Sequence, residues 1–315
     1  MEKALTFVVA FAASAILGIF LLPLLRRLKF GQSIREIGPD WHQKKSGTPT
    51  MGGLMFIASF LMVTPFVIRN TATAAVAICT VLFGIIGFCD DYIKVVKKRN
   101  LGLTAGQKFM AQLLVTLAFL LYLLNAGHLG TQILVPFIHR PIDLGVLFIP
   151  FAAFVLLGFV NGVNLTDGID GLAGFVTLAV TLFLSLVAYR DGNLSLCLAC
   201  LTVSGGVLGF LLFNVHPAKV FMGDTGSLFL GGFVAATSIL LRQELLLVLA
   251  GIIYVAETLS VILQVASFKL TGKRIFKMSP LHHHFEMCGW SESKIVSVFT
   301  AVTVLGCIIG YLGIH

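Results

Sequence analysis

The chain has 315 residues, 57% of them hydrophobic and only 11% charged, with a mean hydropathy of +0.98 and a formal net charge of +8. A soluble globule cannot hide that much apolar surface, because a large share of its residues must face water, so a soluble domain is excluded. The length instead measures how often the chain can cross a bilayer, and at about 20 residues per crossing there is room for roughly ten spans with short connections.

In chain order, apolar windows predict spans near 4–25, 52–68, 72–92, 107–126, 142–160, 172–190, 194–214, 220–241, 245–268 and 294–313. The first, from Ala4 to Leu25, reads as a retained span and not a cleaved signal, because it is long and has no small-x-small site before Arg26. The second is short and carries Pro65. The fold expected is therefore all-α: a single polytopic membrane domain over 1–315 with five cytoplasmic loops. Six cysteines give no disulfide framework, since five lie in or at the ends of apolar runs. Cys197 and Cys200 have metal-ligand spacing but no second pair, and read as small residues on one helix face.

Charge then orients the bundle. Of the 22 Lys and Arg residues, only Lys3, Arg69, Arg140, Arg190 and Arg242 fall outside the connections that follow odd-numbered spans. The positive-inside rule makes the basic side cytoplasmic and turns both termini outward. Most acids share that side, and attraction to anionic headgroups does not explain them.

Five stretches on that side carry residues suited to chemistry. The first loop ends in Lys44-Lys45-Ser-Gly-Thr-Pro-Thr50-Met-Gly-Gly53, where glycines allow close backbone approach and lysines offer donors to phosphate; a plain turn before a helix is the other reading. Asp90 and Asp91 end the third span. Adjacent helical residues sit about 100° apart, so the pair is expected to face different partners, one holding a metal or proton and the other supporting it. Acids at a helix C-terminus oppose the macrodipole, which favours a functional role over a solvated helix end. The stretch from Asn161 to Gly174 holds Asp167 and Asp170, three apart, in a glycine-rich turn fit to cradle an anion; a helix cap is the plainer alternative. From Asn214 to Ser227, Asp224 between glycines suits a hard, oxygen-liking ion such as Mg²⁺. Phe221 reads as an aromatic platform or the apolar start of a span. The last loop contains His282-His283-His284, whose adjacent side chains diverge too much for zinc and fit a diphosphate better beside Lys273, Arg274 and Lys277. Glu257 and Gln264 lie inside the ninth span, where an acid is either functional or buried against a partner.

Taken together and in order, these motifs resemble the polyprenyl-phosphate N-acetylhexosamine-1-phosphate transferases, most closely their muramoyl-pentapeptide branch. The likeness rests on Lys45-x-Gly-Thr-Pro-Thr-Met-Gly-Gly53, Asp90-Asp91-Tyr, Asn161-Gly-x-Asn-Leu-Thr-Asp-Gly-x-Asp-Gly171, Phe221-Met-Gly-Asp-Thr-Gly-Ser227 and Pro280-Leu-His-His-His-Phe-Glu286. The resemblance implies transfer of phospho-MurNAc-pentapeptide from UDP-MurNAc-pentapeptide to undecaprenyl phosphate with Mg²⁺, in the bacterial cytoplasmic membrane, by a homodimer with no nucleic-acid partner. It implies Asp224 as metal ligand and Asp90, Asp91, Asp224 and His283 as catalytic residues, one of the adjacent aspartates deprotonating the lipid phosphate. It places Lys45, Asn164, Asp167, Gly168, Asp170 and Phe221 around the nucleoside, with Thr50 and Asn161 also binding substrate. Lys108, Asn214, Gln264, His282 and His284 would line the diphosphate and sugar.

Overall fold

The computed structural model describes residues 1–27, 47–96, 102–138 and 140–314. The expected Lys45 and the rest of the first loop up to Ser46 lie outside the described residues. Among the described residues the chain is all-α apart from one small hairpin. The helices are α1 (Glu2–Arg27), α2 (Leu54–Val67), α3 (Thr71–Val96), α4 (Ala105–Asn125), α5 (Phe148–Thr166), α6 (Leu172–Arg190), α7 (Leu194–Asn214), α8 (Gly223–Leu240), α9 (Glu244–Ala250), α10 (Ile252–Thr271), α11 (Leu281–Glu286) and α12 (Glu292–Leu312).

Eight of these, among the described residues, are long and apolar enough to cross a membrane. The chain is thus a polytopic membrane protein. The two remaining expected spans are α2 and α8, and each departs from a lipid-facing span for a physical reason. The 14-residue α2 is held by ring packing, with Phe60 edge-on to Phe229 at 5.3 Å and to Phe233 at 6.0 Å. In α8 every residue from Thr225 to Ile239 is buried. A helix enclosed by protein on all sides uses small residues for close approach, and Gly231 and Gly232 of α8 meet Val160 and Phe83 where a Cβ would not fit.

Small residues set the other packing faces too. On α1 the buried Thr6, Ala10, Ser14, Gly18 and Leu22 recur every fourth position, a stripe that lies against α7, while Val8, Ile16 and Phe20 face outward. Local signals start and stop the helices. Thr104 and Gln107 form a reciprocal capping box at α4, and Gly272 closes α10 with φ +68.

Two elements correct the expected spans. The ninth, expected as one run over 245–268, breaks at Gly251 into α9 and α10. The fifth, expected to begin at 142, begins at Phe148. Ahead of it β1 (Gln132–Val135) pairs antiparallel with β2 (Arg140–Asp143), in the register Gln132 to Asp143.

Hydrogen bonds sort the connections into two ends. At one end, Glu2 pairs with Arg69, Asn70 meets Asn193, Phe137 bonds Gly313, and Arg190 bonds the Ile314 carbonyl. The chain's two ends therefore share a face with the connections that follow even-numbered spans. The described parts of the other five connections lie at the opposite end.

Candidate active site

The acids of α3 and α8 come together there. Asp90 accepts the Leu103 N–H at 2.8 Å through Oδ1 and places Oδ2 2.6 Å from Lys94 Nζ. Asp91 Oδ2 accepts both the N–H and the hydroxyl of Thr225, in the first turn of α8, at 2.8 and 2.7 Å. Asp224 Oδ2 accepts from Lys94 at 3.0 Å and from Lys108 at 2.8 Å, and Oδ1 accepts from Asn164 Nδ2 at 2.8 Å. Asn164 also donates to Ser227 Oγ at 2.8 Å.

The expected divergence of Asp90 and Asp91 is corrected by this geometry. One carboxylate oxygen from each, together with one from Asp224, lies within 4.8 Å of the others. The angle between adjacent helical positions is closed by the third acid and by Lys94, which is i+4 to Asp90 and i+3 to Asp91. This gathers three hard oxygen donors into a candidate site for a metal ion, and oxygen donors of this kind suit a hard divalent cation.

The first-loop motif reaches the same place through its backbone. Phe221 donates to the Pro49 carbonyl at 2.8 Å, Gly52 donates back to Phe221 at 2.8 Å, and Gly53 to Met222 at 3.0 Å. Phe221 is half-buried, and Thr50 Oγ1 is buried without a hydrogen-bond partner. Gly223 has φ +75, and a Cβ there would stand 2.5 Å from Asp91 Oδ2 and 2.7 Å from Thr50 Oγ1. Conformation and space both require glycine at that position.

The α5–α6 turn lies alongside. Asp167 accepts the Gly223 N–H, and loss of hydration raises its carboxyl well above the ordinary range, helped by the negative charges of Asp224 and Asp91. Asp170 Oδ2 accepts the Ala218 N–H at 3.0 Å and sits 3.0 Å from His216 Nδ1, while its own N–H meets Glu292 at 3.2 Å.

A raised carboxyl pKa means that the folded state prefers the acid form. The stability linked to Asp167 is complete below the unfolded-state value and is lost as pH rises through the folded one. In magnesium-free and nucleotide-free buffer, Asp167→Asn should therefore raise the melting temperature at pH 8 and leave it nearly unchanged at pH 4.

Other expected residues hold the loops around this centre. Asn214 accepts the Gly171 N–H and donates to the Val220 carbonyl, tying two loops together. Asn161 turns its amide to Gln112 of α4 and to its own helix. His283 pairs with Glu286 at 2.6 Å, and His284 accepts the Lys277 N–H at 3.2 Å. Gln264 accepts from the Ile275 and Phe276 N–H groups and donates to the Phe276 carbonyl. It acts as a clamp on the α10–α11 loop. Removing it in Gln264→Leu should cost about 1–3 kcal/mol and speed tryptic cleavage of that loop, with the nucleotide KM changed by less than about threefold.

Lys94, His216 and Glu292 were not among the expected site residues, and Thr225 and Ser227 lay within the Phe221–Ser227 motif without an expected role. Lys94 carried a signal, its i+4 spacing from Asp90 on a helix.

Residues 73–242 match the family described as Glycosyl transferase family 4, and residues 45–57 match Phospho-N-acetylmuramoyl-pentapeptide-transferase signature 1. A phospho-N-acetylmuramoyl-pentapeptide-transferase of Clostridium perfringens (strain 13 / Type A) is 53% identical over 306 residues, covering 96% of each chain. One of Staphylococcus carnosus (strain TM300) is 50% identical over 315 residues, covering 98% of each. The chain belongs to the phospho-N-acetylmuramoyl-pentapeptide-transferase family. In this transferase the signature contains Gly52 and Gly53, whose N–H groups meet the Phe221 and Met222 carbonyls, and the longer match spans Asp90, Asp91, Asn164, Asp167 and Asp224.

Proposed function

We propose that the transferase moves phospho-MurNAc-pentapeptide from UDP-MurNAc-pentapeptide to undecaprenyl phosphate, giving undecaprenyl-diphospho-MurNAc-pentapeptide and UMP. The observation that carries this reading is the trio Asp90, Asp91 and Asp224, bound to Lys94 and Lys108 at the loop end of a membrane-spanning bundle. One substrate of such a reaction is anchored in lipid and the other is dissolved in water, so the chemistry belongs at a membrane face. Phosphoryl transfer asks the protein for positioning and charge neutralisation more than for covalent machinery.

Asp90, Asp91 and Asp224 would hold Mg²⁺, which when bound supplies charge neutralisation at the diphosphate oxygens. The chain's own groups do the rest. Lys94 and Lys108 keep positive charge beside the phosphates and hold Asp224 in place. Asp90 or Asp91 takes the proton of the lipid phosphate. Thr50, Asp167, Asp170 and Phe221 border the space for the nucleoside. The basic loops raise the local concentration of both anionic substrates.

The reading sets this single transmembrane domain in the bacterial cytoplasmic membrane with its site toward the cytoplasm, both termini outward, and two copies per assembly. Purified protein with Mg²⁺ and undecaprenyl phosphate should release UMP from UDP-MurNAc-pentapeptide and form a labelled lipid product. Preference for UDP-N-acetylglucosamine would instead place it with the related hexosamine transferases, and no transfer from either nucleotide would overturn the enzyme reading.

A further inference from the structure

Glu257 lies inside α10 with no exposed surface, and the mechanism above does not use it. A carboxylate in the interior of a membrane-spanning helix is costly unless it is paired, and its partner identifies its purpose. The partner is one residue. The His282 backbone N–H donates to Oε1 at 3.2 Å and Oε2 at 3.4 Å, and His282 Nδ1 is 3.1 Å from Oε1.

If the carboxylate is ionised it can only accept, and the 3.1 Å contact then puts the hydrogen on Nδ1. That leaves the other ring nitrogen. His282 Nε2 is fully enclosed and has no hydrogen-bond partner. Over it stands Gly168, where a Cβ would come within 2.1 Å of Nε2 and 2.6 Å of Cε1. Gly168 itself is exposed and is not among the positive-φ glycines, so space and not conformation requires glycine there. The imidazole forms the floor of the turn that carries Asp167 and Asp170.

We infer that Glu257 is a positioning residue for the transfer reaction: it fixes the tautomer and orientation of His282, and the ring supports Gly168 and thereby sets where Asp167 and Asp170 stand beside Asp224. His282 is then a support beneath the nucleoside turn and not a ligand of the diphosphate. The inference rests on the transferase reading for its link to activity, while the packing it describes can be measured without activity.

Two measurements test it. In ¹⁵N-histidine-labelled protein, the resonance that disappears in His282→Ala should report a protonated Nδ1 and a bare Nε2, and Glu257→Met should move it to the opposite tautomer or to a mixture. A bare Nδ1 in the unchanged protein would overturn the inference. The second is a double substitution. Gly168→Ala should lower both the melting temperature and UMP release, the latter by about tenfold or more, because the turn is lifted from the ring. In a His282→Ala background the same glycine change should cost little in either readout. Additive losses, or a Gly168→Ala protein that melts and turns over like the unchanged one, would overturn the inference. Melting that shows the coupling in a protein with no transfer from any nucleotide would sink the transferase reading and leave the packing claim standing.

Discussion

Asp224→Asn is expected to lower magnesium-dependent UMP release by about 10³-fold, the scale seen when one preorganised electrostatic group is removed from a reacting centre. The substitution keeps the side chain's size but changes what it offers. Oδ2 now accepts from the ammonium groups of Lys94 and Lys108 at 3.0 and 2.8 Å. An amide nitrogen there would set a donor against two donors, and an oxygen there would turn a donor toward Asn164. Either orientation removes one negative charge from the trio that fits the metal. The side chains of Asp224, Lys94 and Lys108 are 17%, 26% and 19% exposed. Breaking a buried pair costs about 3–5 kcal/mol, and partial access to water places this case at the low end. Melting should fall by several degrees while the protein remains folded. Retention of more than about a tenth of the activity would remove Asp224 from the centre of the site.

That acid was legible in the sequence because the signal was local: a carboxylate between glycines, at the start of an apolar run, on the side rich in lysine. The meeting of five loops was legible for a different reason, since alternation of the spans puts every other connection at one end. The convergence of Asp90 with Asp91 was not legible. Helical geometry separates neighbours by about 100°, and only the approach of α8, which brings Thr225 to Asp91 and Asp224 to Lys94, closes the angle. Hydropathy likewise misplaced the start of α5, because it scores Ile142 as apolar without knowing that it pairs with Ile133 across a hairpin. The amides of Asn214 and Gln264 were expected to line the substrate space, and in the structure they hold loop backbone, contacts that composition does not reveal.

The α3–α8 approach that brings the acids together depends on a glycine just ahead of the Asp90-Asp91-Tyr motif. Gly87 lies one helical turn before Asp91, on the same face. A Cβ there would be 2.0 Å from the Asp224 carbonyl oxygen and 2.7 Å from the Thr225 nitrogen, both backbone atoms. Backbone cannot swing aside as a side chain can, so Gly87→Ala must separate the helices at the point where Thr225 donates to Asp91. Overpacking of this kind costs about 1–3 kcal/mol. The catalytic loss should be larger than that figure suggests, because a shift near 1 Å between reacting groups costs about 10²-fold in rate. Gly84, three residues earlier, supplies the control. Its nearest neighbour is the Phe229 ring at 3.2 Å, a side chain able to give by a few tenths of an ångström. Gly84→Ala should stay within about threefold of the unchanged protein in UMP release. Equal losses in the two variants would mean that the contact sets helix packing in general and not the geometry of the acids.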